Sequence, residues 1–106
     1  MLISEYQEEA HKTSLGTAIG GIMLVYPVLG LAGEVGEFCN KLKKVWRDGT
    51  ELDIVGAKKE LGDCLWYLAE ISTLLGLSME EIAADNIAKL RSRQARNVLG
   101  GSGDMR

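Results

Sequence analysis

The sequence predicts an all-α fold, a small four-helix bundle formed by a single domain spanning residues 1–106. Three observations carry that prediction. Apolar residues recur at helical spacing, helix-start signals stand at Ser4, Asp53 and Ser78, and no long stretch alternates apolar with polar residues. Only Ile22–Val28 has the composition of a short buried strand.

Ser4 followed by Gln7 makes a capping box that opens a first helix over about Glu5–Thr13. Gly20 and Gly21 break the chain after it. A second helix starts near Pro27, since proline suits a first turn whose N–H groups have no intrahelical partner, and runs to about Trp46. Asp48 and Gly49 then turn the chain. Asp53 is the N-cap of a third helix that runs to about Leu75, where Gly76 can take the left-handed conformation that ends it. Its apolar face is Leu61, Leu65, Leu68 and Leu75. Ser78 with Glu81 is a second capping box, opening a fourth helix that directs Ile82, Ala83, Ile87 and Leu90 toward the core. The tail "NVLGGSGDMR" is glycine-rich and irregular. The short turn between the second and third helices sets them antiparallel.

With 106 residues the chain is long enough for one core of three or four helices. The net charge of -3 leaves no basic stripe of the kind a nucleic-acid surface needs, so no polynucleotide partner is expected. Cys39 and Cys64 lie in apolar helical patterns without a Cys-x-x-Cys spacing, and read as buried thiols. The start "MLISEYQEEAHK" is acidic and polar, unlike a signal peptide, and a cytoplasmic location is expected. Thr13–Gly33 carries no charge and matches the length of a membrane span, which takes roughly 20 apolar residues. Its glycines at 16, 20, 21, 30 and 33, with Pro27, argue instead for a bend followed by a helix buried in a core or a subunit interface. No membrane association is expected.

Chemistry concentrates in the second and third helices. Glu34 and Glu37 stand at i and i+3 in "LAGEVGEF", and Glu60 and Asp63 repeat the spacing in the next helix. In an antiparallel hairpin both pairs can face one groove, and four carboxylates there require cations. All-oxygen ligands suit Mg²⁺, with Mn²⁺ as a substitute, better than zinc. Lys41 and Lys44 follow Glu37 along the helix, while Asn86, Lys89 and Arg93 share a face of the fourth helix. Metal ions beside ammonium and guanidinium groups are what a polyphosphate requires.

A plain structural explanation competes with this one. Glu37 and Lys41 form a favourable i, i+4 pair, which on an exposed helix contributes about 0.2–0.5 kcal/mol and implies no function. Lys89 and Arg93 can equally be a solvated face. The doubled acid spacing decides against that explanation, because both pairs sit among apolar residues at the core edge, where an unpaired charge is costly. Other chemistries lack their parts. The one histidine, His11, reads as a surface residue, and without Glu-x-x-His a di-iron carboxylate site has no nitrogen ligands. There is no phosphate-cradling Gly-x-x-x-x-Gly-Lys-Ser/Thr loop and no nucleophile elbow.

The segments "YPVLGLAGEVGEFCNKLKKVWRDG" and "KKELGDCLWYLAEISTLLGLSMEEIAADNIAKLRSR", with the terminal "GGSGDMR", resemble MazG-like nucleoside triphosphate pyrophosphohydrolases over about Tyr26–Arg106. The resemblance implies an all-α bundle, Mg²⁺ dependence, and hydrolysis of nucleoside triphosphate to monophosphate and pyrophosphate. It places the metal ligands on Glu34, Glu37, Glu60 and Asp63, the phosphate-contacting cations of the fourth helix on Lys89 and Arg93, and a family asparagine on Asn86. It also implies a homodimer or homotetramer whose active sites are completed by a neighbouring subunit, which gives the uncharged segment a surface to cover.

On this reading a metal-activated water attacks the α-phosphorus, and Glu37 takes the proton. Lys41, Lys44, Lys89 and Arg93 hold phosphates, and Trp66, with Trp46 and Tyr6 as further candidates, stacks on the base. The acid pattern alone also permits a phosphoribosyl-ATP or dUTP pyrophosphohydrolase of the same superfamily. A non-catalytic helical interaction module, working through the uncharged segment, is the alternative from a different class.

Overall fold

The computed structural model describes residues 1–106 and consists of four helices, α1 (Ile3–Lys12), α2 (Val25–Asp48), α3 (Ile54–Leu74) and α4 (Met79–Ala95). The fold is all-α. The strand-like composition of Ile22–Val28 gives no strand: Ile19 and Ile22 pair across a tight turn, and Val25 already begins α2. No helix is long and apolar enough to cross a membrane.

Most of the expected helix ends form as their chemistry requires. The Asp53 carboxylate accepts the Gly56 N–H at 3.1 Å, and Ser78 Oγ accepts the Glu81 N–H at 3.3 Å. Gly49 and Gly76 take the left-handed conformation, at φ 66° and 71°, and the Leu77 N–H closes onto the Ser72 carbonyl at 2.8 Å. The first helix is different. Leu2 is its N-cap, the Leu2 N–H donates to the Glu5 carboxylate at 3.2 Å, and Ser4 lies inside the helix. Gln7 is drawn away from any capping role by the α3–α4 turn. Its Nε2 donates to Thr73 Oγ1 and to the Leu77 carbonyl, and its Oε1 accepts the Met79 N–H at 2.8 Å. Those turn groups would otherwise lack partners.

Helices α2 and α3 form the antiparallel hairpin that the short turn implies, α1 lies against α3, and α4 packs chiefly on α1. One glycine sets the hairpin spacing: a methyl group at Gly30 would overlap the Tyr67 ring, so the two helices meet through a missing side chain.

The core is much smaller than the sequence implies. Only seven of the 106 residues are buried, namely Ala10, Pro27, Ala57, Ala69, Glu70, Ser72 and Arg93. Along the expected α3 face, Leu61, Leu68 and Leu75 are exposed and Leu65 is half-buried, and the whole α4 face of Ile82, Ala83, Ile87 and Leu90 is exposed. The reading of both cysteines as buried also fails. Cys39 is exposed beside Leu42 and Trp46, Cys64 is half-buried, and both are free thiols. These departures share one cause: each helix finds neighbours on one side only, so its other apolar side meets solvent. The radius of gyration of 16.8 Å, against about 13 Å for a compact chain of this length, measures the same openness.

Candidate active site

The hairpin register is marked by Gly30 against Tyr67 and by Lys41 beside Gly56. The same register sets Glu34 opposite Asp63 and Glu37 opposite Glu60. Ligand oxygens of Glu34, Glu60 and Asp63 all lie within 4.8 Å of one another, with Glu34 and Glu60 half-buried between the helices and Asp63 exposed. Three of the four expected acids therefore converge. Glu37 stands level with Glu60 but outside that group, its side chain exposed to solvent.

The crowding of these acids acts most on Glu34. A hydrogen bond with Glu60, then partial desolvation, then the charges of Asp63, Glu60 and Glu37 push the Glu34 carboxyl above its ordinary value. Like charges at this spacing hold a proton between them unless a cation takes its place. Partial burial and the same acids raise the Cys64 thiol, and partial burial followed by the Asp63 charge raises the Tyr6 phenol. The Tyr67 hydroxyl is raised by burial, by Tyr26 and by Glu34.

Of the expected cations, Lys41 is the one beside the acids, with its Nζ 4.0 Å from Glu60 Oε1. Lys44 is exposed farther along α2 and acts on Asp48. On α4 the face does assemble, but around a different partner. Lys89 Nζ donates to Asp104 Oδ1 at 3.2 Å, and Arg93 Nη2 donates to the same oxygen at 3.0 Å and to the Asp104 carbonyl at 2.8 Å. No ion pair joins either residue to the acid cluster. Asn86 lines a cavity of about 360 Å³ with Ile3, Leu65, Leu68 and Ser72, so it faces α1 and α3.

Among the aromatics, Trp66 directs its Nε1–H to Thr13 Oγ1 at 2.7 Å and meets Tyr67 edge-on, with ring centres 5.1 Å apart. It fixes the start of the uncharged segment against α3. Trp46 is 91% exposed and distant from the acids along α2. His11 is 54% exposed, yet its Nδ1 lies 3.1 Å from Oε2 of the buried Glu70, so it is more than a surface residue. The largest concavity, about 620 Å³, runs along α1 from Ser4 to Lys12 beside the α3–α4 turn, and Gln7 and His11 on its wall already have partners.

Sequence reasoning passed over Tyr67 and Asp104. Tyr67 was detectable, because it follows Glu60 and Asp63 at i+7 and i+4 on the same helix face. Asp104 lies in the terminal "GGSGDMR" that carries part of the family resemblance, but nothing near it in the sequence names Lys89 and Arg93 as its partners.

Acids from two hairpin helices, an all-oxygen donor set and a neighbouring lysine make this cluster a candidate site for a divalent metal. Residues 27–98 match the family model of the MazG nucleotide pyrophosphohydrolase domain, and the chain belongs to that family. It is 36% identical over 114 residues to the Gene 37 protein of Mycobacterium phage L5, in an alignment that covers all of both chains. No solved structure matches it significantly.

Proposed function

We propose that this protein is a Mg²⁺-dependent nucleoside triphosphate pyrophosphohydrolase, converting a ribo- or deoxyribonucleoside triphosphate to the monophosphate and pyrophosphate. The observation that carries the reading is the convergence of Glu34, Glu60 and Asp63 within 4.8 Å, in a chain of this family. The donor set fits Mg²⁺ or Mn²⁺: it is all oxygen, it is open on the Asp63 side, and its crowded charge already raises Glu34. When bound, Mg²⁺ neutralises phosphate charge and makes water a stronger nucleophile near neutral pH.

The chain's own residues supply the rest. Glu34, Glu60 and Asp63 would hold the metal. Glu37, level with Glu60 and free in solvent, can rotate in as a fourth ligand or accept the proton of the attacking water at its carboxylate. Lys41 offers an ammonium group at the edge of the acids, where a phosphate oxygen replaces its long contact with Glu60. Trp66 holds Thr13 and packs on Tyr67, shaping the wall on which a base can stack.

The working species in this reading is a homodimer or homotetramer. Leu15 at 93% exposure, with Ile19, Ile22, Val28 and Leu29 also open to solvent, is a surface that a second copy would cover. A second copy also offers a route for α4 cations to a neighbour's acids. We assign the activity to the cytoplasm, as removal of unwanted nucleotides from the pool.

Purified protein with Mg²⁺ should release pyrophosphate from at least one triphosphate in a panel of normal, deoxy, oxidised and phosphoribosyl substrates. Glu60→Gln or Asp63→Asn should lower kcat on the order of 10²-fold or more. Orthophosphate as the first product, or full activity in both variants, would overturn the reading.

A further inference from the structure

The segment after α4 folds back on Lys89 and Arg93, the two cations that the resemblance to the family gives to phosphate. One oxygen, Asp104 Oδ1, accepts from both Lys89 and Arg93, which is the position a phosphate oxygen would take between an ammonium and a guanidinium group. The backbone follows it in, since the Asp104 carbonyl also accepts from Arg93. Farther along, Arg96 Nη2 donates to the Arg106 carbonyl at 2.9 Å, and Arg106 Nε returns to the Val98 carbonyl at 3.1 Å. The loop is thus a strap closed over the end of α4.

Two features mark the strap as displaceable. The Arg93 side chain is only 5% exposed, and its Nε–H is buried without a hydrogen-bond partner, an uncompensated cost in this arrangement. Asp104 itself is 82% exposed, and the strap is glycine-rich at Gly100, Gly101 and Gly103.

We infer that Asp104 is a built-in competitor for the anion seat of Lys89 and Arg93, and that a polyphosphate must displace the strap to bind there. The inference rests on the proposed function and on the phosphate role that the resemblance to the family gives those two residues. The depressed titration of Asp104, caused first by its hydrogen bond to Arg93 and then by Lys89, agrees with an anion held by both. The polyphosphate wins because it brings more charge and more acceptor oxygens than one carboxylate. A strap closed about nine-tenths of the time lowers the apparent affinity about tenfold relative to the open seat.

The test uses the full chain and inorganic tripolyphosphate in metal-free buffer, followed by NMR titration. Asp104→Asn should bind tripolyphosphate about 5- to 10-fold more tightly than the unaltered protein. In the unaltered protein the Gly101 and Gly103 amide signals should move, on binding, toward their positions in D104N. Asp85→Asn removes the same charge beside Lys89 with the strap intact, and should change affinity less than about twofold. Equal or weaker binding by D104N, glycine signals that stay in place, or an equal gain in D85N would each overturn the inference. With Mg²⁺ and nucleotide, D104N should lower KM and leave kcat unchanged. Because tripolyphosphate binding needs no turnover, strap release without hydrolysis would count against the proposed function alone. Hydrolysis without strap release would count against this inference alone.

Discussion

Glu34 is the residue where the site's electrostatics are most exposed to measurement. Its carboxyl titrates above the ordinary value because folding sets it against Glu60 and Asp63. The metal-free folded state therefore holds this proton more tightly than the unfolded chain does. The corresponding stability is fully present below the unfolded value and is lost as pH rises through the raised folded value. With chelator present, Tm should fall across that window in a pH series. Glu34→Gln should flatten the fall. Added Mg²⁺ should abolish it, and at about a hundred times its Kd should add about 2.7 kcal/mol of stability that the Gln variant lacks. A chelator-insensitive Tm at neutral pH would count against a metal site at these residues. The i, i+3 spacing of the acids was legible in the chain because helical geometry fixes which side chains share a face. That Glu37 would stand outside the converged three was not, since a side-chain rotamer at the open edge of a groove depends on what fills the groove.

At the scale of elements, the hairpin of α2 and α3 positions every acid, and its closest approach depends on Gly30. Gly30→Ala should force the Tyr67 ring or the α2 backbone to shift, costing about 1–3 kcal/mol in denaturant unfolding and loosening the acid cluster. Gly33→Ala, where an added methyl meets open space, should cost little and serves as the control. Helix ends were largely legible. Asp53, Ser78, Gly49 and Gly76 act through bonds to residues a few positions away, so the sequence contains both partners. Gln7 acts through Thr73, Leu77 and Met79, far along the chain, and a capping-box pattern at Ser4 could not compete with that tertiary demand.

For the whole molecule, the open arrangement has consequences for stability. Seven buried residues give a single subunit little apolar burial with which to oppose the entropy of ordering its helices. A second copy covering the exposed face that includes Leu15, Ile19 and Leu29 would stabilise both, so Tm should rise with protein concentration, with sedimentation reporting a dimer or tetramer. Leu29→Glu should shift the chain toward monomer and lower Tm. A concentration-independent Tm with a monomeric mass would exclude this assembly.

The sequence by itself determined the helices, most of their caps and the two acid pairs, because each of these is a relation among residues within a few turns of one another. Only the tertiary structure decided which acids meet, which faces remain uncovered and where the α4 cations go. Those outcomes depend on the register of one helix against another, set here by Gly30 and Tyr67, and on a strap that brings Asp104 to Lys89 and Arg93. Periodicity says which residues share a face, but the opposing surface is chosen by packing.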